Sequence, residues 1–239
     1  MLRGRVDILG SLSRWLWPAR CALCGQSGQP ELDLCAACEA DFPVNDNACE
    51  HCAEPLPVAL VQPVLCGACL RRPPAFDACF APFRYAFPID RLIQGLKYRR
   101  DLCYGRVLGQ LLARHVSHRG TRPDAVIPVP LASHRYRERG FNQARELALP
   151  LCKSLGLPLR SDLVVRQRET RGQAGLDRKE RRKNMRNAFA LAAPLRARHI
   201  AIIDDVVTTG STVNELSKLL RAGGAEWIEV WAVARAQRK

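Results

Sequence analysis

HIAIIDDVVTTGST, residues 199–212, is the stretch from which the rest of the chain can be read. Four consecutive apolar residues, Ile200, Ala201, Ile202 and Ile203, form a short run bounded by polar residues, as expected of a strand buried on both faces of a parallel sheet. Asp204 and Asp205 stand at its carboxyl end. A loop of Val206, Val207, Thr208, Thr209, Gly210, Ser211 and Thr212 then runs into a helical stretch over 211–221, closed by Gly223 and Gly224. Backbone amides at the start of a helix, with the hydroxyls of Thr208, Thr209, Ser211 and Thr212, can surround a phosphate, and Gly210 permits close approach. The adjacent carboxylates can accept hydrogen bonds from sugar hydroxyls or hold a magnesium ion. A strand, a pair of acids and a phosphate loop in this order are therefore expected to receive a ribose 5-phosphate group.

Working outward, apolar strand-like runs alternate with amphipathic helical stretches. Strands are expected at 80–87, 125–129, 163–166, 200–204 and 228–233, and helices at 88–98, 104–116 and 141–155, the last with Phe141, Ala144, Ala148, Leu151 and Leu155 along one side. The alternation predicts an α/β domain over 74–239 built on a mostly parallel sheet with helices on both faces. Ligands of such sheets bind at the carboxyl ends of the strands, here the loops after Val129, Arg166 and Asp204.

At residues 199–212 the sequence resembles the phosphoribosyl diphosphate signature of the type I phosphoribosyltransferases. The resemblance implies that Asp204 and Asp205 hold the ribose 2- and 3-hydroxyls and are the catalytic candidates, and that residues 208–212 hold the 5-phosphate, with Val206 and Val207 completing the ribose-phosphate-binding set. Pro130, Leu131, Ala132 and Ser133 match the place where those enzymes bind pyrophosphate, and Mg2+ would accompany the diphosphate. Arg135, Arg137 and Arg139 follow, suited to diphosphate or to a DNA backbone. Residues 166–186 hold nine Lys and Arg and fall where the family carries a lid; Arg171, Arg178 and Arg182 are the lid or DNA-contacting candidates. Purine-salvage members place an acid, their general base, where this chain has Thr208, whereas orotate-type members lack it too.

Before this domain, over residues 1–73, the chain is organised by cysteine. Cys21, Cys24, Cys35 and Cys38 form two Cys-x-x-Cys pairs, and Cys49, Cys52, Cys66 and Cys69 repeat the arrangement. Each knuckle points two thiolates at one ion, and two knuckles complete a tetrahedron with no open position, so two structural Zn2+ sites are expected. Sequential pairing gives two ribbons, and an interleaved cross-brace uses the same residues. The module is poor in apolar side chains, so metal binding has to supply its stability. His51, inside the third knuckle, is expected to face solvent. Cys79, Cys103 and Cys152 stand alone as small core residues. Arg71, Arg72, Pro73 and Pro74 mark the boundary.

The first residues alternate arginines with Leu2, Val6, Leu9, Leu12 and Leu16 at helical spacing, an amphipathic helix rather than a membrane span or an export signal. Net charge is +14, from 37 Lys and Arg against 23 Asp and Glu, a field that attracts polyanions and weakens with salt. With LKYRRD at 96–101, IPVPLASHRYRERGFNQA at 127–144, and Thr170, Gln173, Leu176, Arg178, Arg182, Asn184 and Phe189 beyond it, the whole chain resembles the ComF family of phosphoribosyltransferase-like competence proteins. That resemblance implies a cytoplasmic role in natural transformation, with phosphoribosyl diphosphate or a nucleotide as ligand. It also implies single-stranded DNA and a helicase-like protein as partners, and a place at the inner face of the membrane through the uptake machinery. The alternative expectation is an active phosphoribosyltransferase in nucleotide or cofactor metabolism.

Overall fold

The computed structural model describes residues 19–57, 62–167 and 187–237. The amphipathic helix expected at the amino terminus, the arginines 171, 178 and 182, and the motif residues 170–184 lie outside the described residues. The chain divides into two compact units, residues 1–42 and 43–239, so the second cysteine repeat shares a unit with the sheet.

In the first unit, bridges Arg20↔Ser27 and Gln29↔Leu32 frame the first knuckle. A short helix α1, Ala36–Ala40, begins at Cys35, whose sulfur accepts the Cys38 amide. Among its described residues, Leu32, Leu34 and Phe42 are the buried apolar side chains besides Cys21, few for a segment to fold on without a metal.

The second unit opens with the second pair of knuckles and helix α2, Gly67–Arg71. Strands β1, Ala78–Phe80, and β2, Phe83–Arg84, follow. The single strand expected over 80–87 is thus two pieces. Pro82 falls between them and has no amide to donate, while its carbonyl accepts Asn45 N. Helix α3, Ile89–Gln94, continues into a π turn, Gly95–Arg99, and helix α4, Leu102–Ser117, starts from the Asp101 cap. Next come β3, Ala125–Pro128; helices α5, Ser133–Arg139, and α6, Gln143–Leu155; and strands β4, Val164–Arg166, and β5, Phe189–Leu191. Strand β6, His199–Val207, helix α7, Ser211–Ala222, and strand β7, Trp227–Arg235, close the unit.

The main sheet runs β1-β7-β6-β3, with β2 also on β7, and every pairing is parallel. The two long central strands, β6 and β7, are buried almost throughout, which is why residues 200–203 carry no polar alternation. Ile200, Ile202, Ile228, Val230 and Ala232 join Val213, Leu216 and Leu220 of α7 and the four cysteines of the second repeat in one buried cluster. Helix α6 packs on β3 and β6 and also against α4, which reaches β7. Gly109 lets α4 and α6 meet closely: a Cβ there would overlap the Leu147 carbonyl and the Pro150 ring. The weak strand expected at 163–166 forms, but β4 pairs antiparallel with β5 outside the main sheet.

Candidate functional site

Asp204 and Asp205 lie within β6, because that strand and β7 stay in register to Val207↔Arg235. The loop after it turns at Gly210, whose φ of 76° is left-handed and suits glycine. Helix α7 then starts at Ser211, and the Thr209 and Ser211 hydroxyls lie 2.8 Å apart, with the Ser211 amide donating to Thr209 Oγ1. Residues 204–213 and Lys97 line a cavity of about 200 Å³. The expected ribose-phosphate residues Val206 and Val207 and the expected 5-phosphate loop, Thr208, Thr209, Gly210, Ser211 and Thr212, form its wall.

A second cavity of about 310 Å³ shares Lys97, Asp204, Asp205 and Thr212 with the first. Its other walls come from Pro130, Leu131 and Ala132 after β3, from Arg135, Arg139 and Gln143, and from Tyr98 and Arg166. The loops after Val129 and Asp204 therefore meet at one end of the sheet, with Arg166 beside them; the loop expected after Arg166 lies mostly outside the described residues. Ser133, the fourth residue of the expected pyrophosphate loop, opens α5 and is exposed outside this lining, as is Arg137. Asn142 ties the two sides together: its Nδ2 donates to the Val129 carbonyl at the end of β3, and its Oδ1 accepts the Ala144 amide at the start of α6.

Lys97 had no assigned role in the sequence, although it sits in the LKYRRD motif. The π turn buries Leu96 in the core and brings Lys97 Nζ to 2.7 Å from Asp205 Oδ2. A π turn shifts helical register by one residue, and such shifts gather at functional sites. Burial opposes the ammonium, but Asp205 and Asp204 outweigh it and leave the Lys97 pKa raised. Burial is the largest cause pushing the Asp204 carboxyl up to about 7, and the neighbouring Asp205 adds to it; Lys97, the Asp205 amide and Arg166 pull the other way. Arg139 is pressed down by burial and by Arg135.

A buried arginine braces the back of the loop. Arg235, with no exposed surface, ends β7 and donates to the carbonyls of Val207, Thr208, Ala236 and Cys52, and it pairs with Glu54. With their carbonyls turned to this guanidinium, Val207 and Thr208 are held in place. Only the folded pairing of β7 with the knuckle reveals this role.

The eight cysteines form two closed sets, Cys21, Cys24, Cys35 and Cys38, and Cys49, Cys52, Cys66 and Cys69, with all four sulfurs of each set within 4.8 Å of one another. Pairing is sequential, not interleaved, and four thiolates at this spacing fit tetrahedral Zn2+. His51 takes no part. Its Nε2 lies 2.6 Å from the Phe76 carbonyl and its ring meets Phe76 edge-on, so it is half-buried rather than solvent-facing. Cys79 and Cys152 are buried and Cys103 is half-buried.

Residues 12–70 match the double zinc ribbon domain. Competence protein F of Haemophilus influenzae is 39% identical over 85% of this chain and 90% of its own. DNA utilization protein YhgH of Escherichia coli O157:H7 is 38% identical over 84% and 90%, and competence protein ComFC of Streptococcus pneumoniae is 24% identical over 90% and 100%. Among solved structures, a purine phosphoribosyltransferase from Pyrococcus horikoshii aligns with 54% of this chain and 80% of its own at a TM-score of 0.33 and 20% identity. Identity approaching two residues in five over more than four fifths of its length makes this chain a member of the ComF family.

Proposed function

We propose that the joined cavities bind phosphoribosyl diphosphate with Mg2+, or a nucleotide, and that the protein serves DNA uptake. The single observation that carries the ligand reading is convergence. An acidic pair, a hydroxyl-rich loop at a helix start and the loop after β3 line adjoining cavities that share Asp204 and Asp205. In this reading the 5-phosphate takes the amides and hydroxyls of residues 208–212, the ribose hydroxyls donate to the acidic pair, and whatever C1 carries enters the larger cavity. The diphosphate brings Mg2+, whose charge would offset its own.

Support for the cellular role comes from relatives named for competence and DNA utilization. A net charge of +14 suits single-stranded DNA. Arg135, Arg137 and Arg139, with Arg171, Arg178 and Arg182, are the candidates for backbone or lid contacts, and a helicase-like protein is the expected partner at the inner face of the membrane. None of the described helices is long and apolar enough to cross a bilayer.

One observation favours a second reading, an active phosphoribosyltransferase. Asp204, with its carboxyl pushed up to about 7, is poised to exchange a proton near neutral pH, the service Thr208 cannot give.

Calorimetric titration of the wild type and of an Asp204→Ala, Asp205→Ala double variant with phosphoribosyl diphosphate and Mg2+ tests the ligand. The variant should lose at least about tenfold in affinity, since two charge-assisted hydrogen bonds disappear. Equal affinity refutes the site. Pyrophosphate release on mixing with candidate acceptors separates transfer from binding alone. Single-stranded DNA affinity that ignores a rise in salt refutes the nucleic-acid role.

A further inference from the structure

We propose that Lys97 is the built-in counter-cation of the acidic pair: it occupies Asp205 in place of a divalent ion, so that the sugar phosphate binds without a metal held by the protein. The proposal rests on the sugar-phosphate reading above and deepens it. Lys97 is the one cationic side chain of the smaller cavity among the described residues, and it shares that space with Asp204, Asp205 and the hydroxyl-rich loop. Two carboxylates on their own would repel a phosphate from the cavity, whatever the loop amides offer. A positive charge has to stand among them, and the chain supplies one 2.7 Å from Asp205 Oδ2.

The fold aims this lysine. Leu96, just before it, has no exposed surface, and Gly95 lies so close to Tyr104 that a Cβ there would overlap the ring. The π turn Gly95–Arg99 ends at Arg100 in the left-handed region, and Arg100 Nη2 donates to the Glu138 carbonyl. Anchored on both sides, the Lys97 side chain is 21% exposed and that of Asp205 9%. The carboxylate oxygens are committed accordingly. Asp205 Oδ1 accepts the Val206 amide and Oδ2 the Lys97 ammonium, while Asp204 Oδ1 accepts the Asp205 amide. Asp204 Oδ2 has no donor among the described residues and is the open seat for a ribose hydroxyl. Mg2+ demands near-octahedral oxygen ligands and gives up its water reluctantly. Carboxylates already holding an ammonium and two amides fit it poorly, and the ammonium repels a dication. The Mg2+ that accompanies phosphoribosyl diphosphate is therefore carried by the diphosphate.

The test uses the full-length, zinc-replete chain in buffer cleared of other divalent ions by a resin, since a chelator would strip the zinc. Ribose 5-phosphate is titrated calorimetrically with and without Mg2+ on the wild type, Lys97→Met and Lys97→Arg. The wild type should bind within about twofold in the two buffers. Lys97→Met, close in length, should lose about tenfold without Mg2+, the scale of one charge-assisted hydrogen bond, and regain affinity when Mg2+ is added. Lys97→Arg keeps the charge and should follow the wild type. Mn2+ alone, read by its electron paramagnetic signal, should be held by Lys97→Met and not by the wild type, with the Asp204→Ala, Asp205→Ala double variant as background. Wild-type binding that needs Mg2+ overturns the proposal and leaves the pocket reading standing. So do a Lys97→Met variant that binds as tightly as the wild type without Mg2+, a Lys97→Arg variant as weak as Lys97→Met, and equal Mn2+ signals from the wild type and Lys97→Met. If ribose 5-phosphate binds none of these proteins in either buffer, the pocket reading fails by itself, and Mn2+ still decides the counter-cation.

Discussion

At Asp204, burial and function pull in opposite directions. Burial and the Asp205 charge push its carboxyl from 3.8 up to about 7, so the folded chain holds a proton that the unfolded chain has released. The stability gained by that proton is full below the unfolded value of about 3.8 and is lost as pH rises through about 7. Sugar hydroxyls, however, bind best to an ionised carboxylate. Affinity for ribose 5-phosphate should therefore rise between pH 6 and 8 while the unliganded protein becomes slightly less stable. The ligand's own phosphate also titrates near pH 6, by analogy with phosphorylated side chains, so Asp204→Asn is the reference. Its affinity profile should be flatter than the wild type's, and calorimetry at matched ionic strength measures both. Profiles that superimpose would mean that Asp204 does not titrate in binding.

The elements show how far the sequence could be read. Residues 200–203 announced a buried parallel strand because both faces of β6 are covered, and the helices at 104–116 and 141–155 appear as α4 and α6 because each needs one apolar face. Asp204 and Asp205 were legible from their place after that strand. Lys97 and Gln143 were not, since neither a π turn nor an unpaired amide leaves a periodic trace; they become visible only when the π turn brings Lys97 to Asp205 and Asn142 ties the start of α6 to the end of β3. The antiparallel pairing of β4 with β5 was equally hidden, because a run of three residues reads the same in any sheet. The contact of α4 with α6 is a close one. Gly109→Ala would drive a methyl into the Leu147 carbonyl and the Pro150 ring. Despite alanine's better helix propensity, the variant should lose about 1 to 3 kcal/mol, as overpacked cores do. Denaturant unfolding measures this, and a neutral or stabilised variant would show that the helices can separate at no cost.

For the whole molecule, the two cysteine sets have different standing although their spacing makes them look like copies. In the first set Cys24 is exposed and Cys35 and Cys38 are half-buried, within the unit of residues 1–42. All four cysteines of the second are buried, and they share one apolar cluster with Ile200, Ile202 and α7. The knuckle of the second set also supplies Cys52 O and Glu54 to Arg235, which holds Val207 and Thr208 at the phosphate loop. A structural Zn2+ contributes about 10 to 16 kcal/mol of apparent binding energy in small peptides, and its loss falls on whichever core it completes. Cys49→Ser with Cys52→Ser should therefore lower the melting midpoint of the α/β body by on the order of 10 °C and weaken sugar-phosphate binding with it. Cys21→Ser with Cys24→Ser should release one zinc and leave that midpoint and that affinity nearly unchanged. Calorimetric melts paired with zinc analysis distinguish the cases. Equal losses from the two pairs would mean that the first ribbon, too, carries the stability of the sheet.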